Sequence, residues 1–260
     1  EFRGPYMSRT SVKVLRLLEG AIRNKLNPQL FTYLDGIHLG HLEQRPSEFE
    51  NIGEGLLSLR ERVRKHNLDF TMLSCSRCGT ARGYLRKDYE NEYKPSEDAI
   101  SGYLFCNLNR IIDYFEENGL ILAPTWASIQ ASNISIRENH QNKRNKPPLV
   151  IFITHSPYGS EWTFGGLSFA MACASHGIST NVVFIEDGIY SIHGTHKVNE
   201  NDKIFNIQEI IIATYDMEDL HYYAFEDSLQ ERNMKMSSVF DDNIKKINDT
   251  DLKQIVFSSD

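Results

Sequence analysis

Leu149-Val150-Ile151-Phe152-Ile153-Thr154 is an unbroken apolar run, followed by the turn-rich stretch Ser156-Pro157-Tyr158-Gly159-Ser160. A short apolar run without alternation reads as a strand buried on both faces, as in a parallel sheet. Over residues 162–176 apolar side chains recur at helical spacing, and Gly177 supplies a C-terminal stop. Thr180-Asn181-Val182-Val183-Phe184-Ile185 is the next strand, closed by a turn at Asp187-Gly188. Strand, helix and parallel strand form a βαβ unit with a right-handed crossover. The fold class that follows is α/β.

The same pattern occurs nearer the start of the chain. At an offset of 152 positions, Pro5, Tyr6, Ser8, the run Asp35-Gly36-Ile37 and His41 match Pro157, Tyr158, Ser160, Asp187-Gly188-Ile189 and His193 without a gap. A shared register across a helix and a strand marks an internal repeat. The first copy has the helix (residues 8–23) and the following strand (29–34), but only three residues precede Gly4. Most of its first strand is therefore missing, and the expectation is an N-terminally incomplete fragment. Residues 137–148 are polar, charged and end in two prolines, which reads as a linker. The expected organisation is a first domain over 1–136, a linker over 137–148 and a second domain over 149–260. Further helices are expected at 47–65, 79–86, 107–118 and 207–213, and strands at 69–73, 120–122, 221–225 and 254–257.

Composition narrows the function classes. The 260 residues are 40% hydrophobic and 24% charged, an ordinary globular balance sufficient for two cores. A net charge of −7 carries no broad basic footprint, so direct nucleic-acid binding is not expected. No apolar run approaches the roughly 18 residues of a membrane span. Four cysteines are too few for a disulfide scaffold, and without a secretory pattern the cytoplasm is the default compartment.

The chemistry is expected in Leu73-Ser74-Cys75-Ser76-Arg77-Cys78-Gly79-Thr80-Ala81-Arg82-Gly83, which follows a strand and leads into a helix. Ligands of open α/β sheets bind beyond the carboxyl ends of strands, and N–H groups at a helix start stabilise an anion there. A thiolate is such an anion, so Cys75 is expected to be acidic, with Arg77, Arg82 and Gly79 around the anionic sulfur. Three chemistries fit a Cys-x-x-Cys pair: zinc ligation, which needs more ligands than Cys106 and Cys173 readily supply; a dithiol oxidoreductase; and a sulfur carrier in which Cys78 resolves or tunes Cys75. The carrier is preferred; besides the oxidoreductase, the alternatives are structural cysteines and a non-catalytic interaction subunit of a sulfur-enzyme assembly. Cys75 buried in apolar packing, or sharing a metal with Cys78, would overturn it.

These segments resemble the DsrE/DsrF family of sulfur-relay proteins. The first half is similar to the DsrE/TusD side through Gly4-Pro5-Tyr6, Tyr33-Leu34-Asp35-Gly36-Ile37, and Cys75 followed by Ala81-Arg82-Gly83. The second half is similar to the DsrF/TusC side through Ser156-Pro157-Tyr158-Gly159-Ser160, Phe184-Ile185-Glu186-Asp187-Gly188-Ile189-Tyr190 and Tyr215-Asp216-Met217-Glu218. The resemblance implies two three-layer α/β/α domains in tandem and a persulfide on Cys75. It also implies sulfur-donating and sulfur-accepting partner proteins, and homo- or hetero-oligomers with related subunits. No cofactor or metal is required by that chemistry. The departures are the second cysteine, Cys78, and the absence of a cysteine around Leu220-His221-Tyr222-Tyr223-Ala224, which reads as a structural or partner-binding copy. Cys173 and Cys106 read as structural, His38 and His41 as polar loop residues, and Asp35 and Asp187 as turn-shaping. Ser160 lacks the lysine of a phosphate loop.

Overall fold

The computed structural model describes residues 9–46, 50–88, 90, 92–116, 148–199, 201 and 204–257. The chain divides into two compact units, Glu1–Ile136 and Arg137–Asp260. The stretch Gly4-Pro5-Tyr6, the residues before it, nearly all of the linker and the strand expected at 120–122 lie outside the described residues.

In the first unit, α1 (Arg9–Arg23) leads to β1 (Gln29–Thr32) and a 3-10 segment (Leu34–Gly40). Next come α2 (Ile52–Lys65), β2 (Thr71–Cys75) and α3 (Ser76–Ala81). A small antiparallel hairpin, β3 (Leu85–Lys87) and β4 (Tyr93–Pro95), precedes β5 (Tyr103–Cys106) and α4 (Asn109–Glu116). The sheet is parallel, in the order β1-β2-β5. Val14, Leu15 and Leu18 of α1 and Leu56, Leu59 and Val63 of α2 bury against Leu30, Met72 and Tyr103 of the sheet. The side chain of Asn51 caps α2 by accepting the Glu54 N–H at 3.0 Å.

The second unit runs β6 (Leu149–Ile153), α5 (Trp162–Ser175), β7 (Thr180–Phe184), a 3-10 segment (Glu186–Ile192) and α6 (Ile207–Ile212). It continues with β8 (Leu220–Phe225), α7 (Glu226–Glu231), β9 (Ile244–Ile247) and α8 (Asp249–Phe257). Its four strands are parallel in the order β6-β7-β8-β9. Leu167, Ala170 and Ala174 of α5 and Ile207 and Ile211 of α6 pack on Val182, Phe184, Tyr222 and Ala224. This is the α/β class read from the apolar run at 149, but among the described residues β6 is an edge strand with Phe152 exposed and not a strand buried on both faces. Gly188 is needed where it stands, because a Cβ there would lie 1.7 Å from the Ile153 carbonyl oxygen.

Several expected elements are corrected. Residues 254–257 belong to α8 rather than to a strand, and the last strand is β9. Ile244-Lys245-Lys246-Ile247 buries only its end residues, so it offers neither an apolar run nor a clean alternation. The helix expected at 79–86 starts earlier, at Ser76, and stops at Ala81; residues 85–87 are strand β3. The helix expected from residue 47 begins at Ile52, and the turn at Asp187-Gly188 is the start of a longer 3-10 segment. β5 and the β3–β4 hairpin carry too few residues to stand out in the sequence.

Candidate functional site

Cys75 is the residue at which β2 becomes α3, with an extended backbone (φ −63°, ψ 121°). At this N-cap position the first helical N–H groups have no intrahelical acceptor. The Cys75 side chain makes no cap hydrogen bond to them; the Cys78 side chain and the nearby N–H groups of Cys78 and Arg77 act on its sulfur electrostatically. These groups hold the Cys75 thiol well below its ordinary value, at about 6. The Cys78 S–H is the largest cause, burial opposes it, and the Arg77 charge adds a smaller share. Cys78 moves the other way, pushed up by the hydrogen bond it shares with Cys75, then by burial and by the Cys75 charge. The negative charge therefore resides on Cys75 and Cys78 stays a thiol.

Both cysteines are free, and they are only 3% and 7% exposed. They share a small buried cluster with Tyr33, Leu34, Ile37 and Tyr84. Such apolar burial was expected to count against a sulfur carrier, because it raises a thiol pKa; here the influence of the Cys78 side chain outweighs it. Because α3 is only six residues long, those local groups, and not a long helix dipole, set the acidity.

The remaining site residues take different places. Arg77 is exposed and acts on Cys75 through its charge. Arg82 turns to Asp35, donating from Nη2 at 2.8 Å and Nε at 3.2 Å to one carboxylate oxygen. Its charge reaches Cys78 and His38. Gly79 is buried, and a Cβ there would sit 2.6 Å from the Phe105 ring, so close packing requires glycine. His38 is drawn closer than a plain loop residue: its Nδ1 shares a 2.8 Å hydrogen bond with the Tyr84 hydroxyl. Burial, then the Arg82 charge, lower its pKa.

Leu34 and Tyr84 were missed from sequence, and Cys106 was read only as structural. Leu34 adopts a left-handed conformation (φ 52°) and its N–H donates to Cys78 Sγ at 3.3 Å. Tyr84 closes the cluster, and Cys106 ends β5 opposite Cys75. Only Leu34 had a signal, its place just before Asp35-Gly36.

The second unit builds the same corner with other side chains. Glu186 is also left-handed (φ 53°), and its N–H donates to Ser228 Oγ at 2.9 Å. Arg232 Nε donates to Asp187 at 3.0 Å, as Arg82 does to Asp35. The residue at the strand-to-helix junction is Phe225, followed by Glu226, Asp227 and Ser228. A cleft of about 450 Å³ in this unit is lined by Ser156, Tyr158, Tyr190, His193 and His196.

A family model described as DsrE/DsrF-like matches residues 148–260. The matched DsrE/DsrF-like segment is the unit without the cysteine pair, and the family as a whole is tied to sulfur relay. The crystal structure of the YchN protein from E. coli is similar at 19% sequence identity and a TM-score of 0.37, covering 44% of this chain and 94% of that one. No curated protein sequence matches the chain. Among the described residues no helix is long and apolar enough to cross a membrane.

Proposed function

We propose that the chain is a sulfur carrier built from two DsrE-like domains in tandem. In this reading the first domain accepts sulfane sulfur as a persulfide on Cys75 and passes it to a partner protein. The observation that carries the reading is the place of Cys75 at the carboxyl end of β2, where α3 begins and where the Cys78 side chain lowers its pKa. A thiolate at neutral pH is the form that attacks a sulfane sulfur, and the same surroundings suit the persulfide anion that results. In loading, Cys75 bonds to the outer sulfur of a donor persulfide while the donor's S–S bond breaks and its thiolate leaves. No oxidant is consumed.

Cys78 serves to tune the thiolate. Its S–H donates to Cys75 and its sulfur accepts the Leu34 N–H, so it is a structural donor and acceptor held in its thiol form. The second domain, with Phe225 and Asp227 at the corresponding places, has the composition of a partner-binding copy.

Intact-mass measurement after exposure to a low-molecular-weight persulfide tests the carrier. One added sulfur atom, absent in Cys75→Ser, is the expected result. Turnover of a disulfide substrate without sulfur uptake would instead identify a dithiol oxidoreductase and overturn the reading.

A further inference from the structure

Cys106 is the final residue of β5 and pairs directly with Cys75 in the parallel register of the sheet. Residues paired in this way carry their side chains on one face of the sheet, with strands roughly 4.8 Å apart. The two chains stay together past the sulfurs, because Ser76 Oγ donates to Asn107 Oδ1 at 3.4 Å. Cys75 is only 3% exposed, whereas Cys106 is half-buried. Cys78, the other neighbouring thiol, is already engaged by the Leu34 N–H.

We propose that Cys106 is a second sulfur-carrying residue, which takes the sulfane sulfur from Cys75 and presents it to the acceptor. The proposal rests on the reading of Cys75 as a persulfide carrier. A persulfide extends the Cys75 side chain by one S–S bond of about 2 Å, toward the neighbouring strand's thiol. The Cys106 thiolate attacks the outer sulfur and a new S–S bond forms there. The old S–S bond breaks, its electron pair returns to Cys75, and the proton shed by Cys106 goes to solvent. Sulfur moves between two thiols with no net oxidation or reduction. A low-pKa thiolate leaves readily, which favours this direction. Burial, followed by the Cys75 charge, pushes the Cys106 thiol up to about 11. Transfer is accordingly the pH-limited step, accelerating from neutral toward alkaline pH while loading of Cys75 is flat.

The test uses the full chain loaded with glutathione persulfide, alkylated at intervals and digested with trypsin. Cleavage after Arg77 separates Cys75 from Cys78, so the position of the extra sulfur is read directly by peptide mass. Sulfur appears first on Cys75 and then on Cys106. In Cys106→Ser and Cys106→Ala it accumulates on Cys75, and release to a small thiol falls about tenfold. Sulfur on Cys75 but never on Cys106, with undiminished release in both variants, overturns the relay and leaves the carrier reading standing. Sulfur on neither residue overturns both. Loading of Cys106 in Cys75→Ser overturns the order of transfer.

Discussion

The corner formed by Leu34, Cys78, Asp35 and Arg82 and the corner formed by Glu186, Ser228, Asp187 and Arg232 have one frame and two chemistries. Each has a left-handed residue whose N–H is taken by a side chain on the short helix, and an arginine on the aspartate that follows. What differs is the reactive position and its field: Cys75-Ser76-Arg77-Cys78 in one, Phe225-Glu226-Asp227-Ser228 in the other. The frame is thus independent of the thiol, and the acidity of Cys75 is an addition to it. Serine in place of Cys78 is evidently sufficient for the frame, which separates the structural work of that position from its effect on Cys75.

The largest effect expected on breaking this contrast is all-or-none. Cys75→Ser loses sulfur uptake, whereas Phe225→Cys does not create a comparable site, because Glu226 and Asp227 oppose a thiolate there. Peptide-mapped alkylation at pH 7 should find that new thiol at least about tenfold slower than Cys75; equal rates would remove charge from the explanation. A next, smaller effect concerns Cys78. The Cys75 alkylation rate of the native chain should rise as pH climbs through about 6 and then level off, since the thiolate is the reacting form. Cys78→Ala withdraws the largest stabilising donor and moves that inflection to higher pH, while Cys78→Ser, whose hydroxyl still donates and accepts, keeps most of the shift. A pH-rate profile of the three chains decides it, and an unmoved inflection in Cys78→Ala would sink the assigned cause.

Gly79→Ala forces a methyl against the Phe105 ring, and overpacking of this kind costs about 1–3 kcal/mol. Chemical denaturation should register that loss, with Cys75 alkylation slowed as the α3 N-terminus shifts. The smallest change is expected for Arg82→Gln. Its partner Asp35 is 65% exposed, so the ion pair contributes less than about 1 kcal/mol, and thermal unfolding should barely move. A large loss there would mean that Arg82 supports the thiols and not only Asp35.

Much of this arrangement could be read before any coordinates. The apolar run at 149–154, the helix closed by Gly177 and the shared Asp-Gly-Ile run gave the α/β class, and the strand-then-helix placement located Cys75 at a junction. Other parts were hidden for physical reasons. β5 and β9 are four residues each, too short for periodicity to rise above composition. With β5 unseen, nothing in the sequence set Cys106 beside Cys75, since a parallel register is decided by the fold and not by spacing along the chain. The partner of Arg82 was equally out of reach: Asp35 lies in a 3-10 segment distant along the chain and is brought near only when β1 and β2 pair. Acidity at Cys75 was anticipated from N–H groups, but the larger role of the Cys78 proton depends on side-chain direction.

The left-handed Leu34 has one more consequence. A leucine at φ 52° occupies a conformation that L-residues adopt uncommonly, and the bond from its N–H to Cys78 Sγ helps hold it there. Cys78 in turn leans on the charge of Cys75. The amide proton of Leu34 is consequently wired to the occupancy of the reactive sulfur. Its NMR resonance should migrate when Cys75 is protonated, alkylated or loaded, giving a spectroscopic gauge of sulfur status at a backbone atom that takes no part in the reaction.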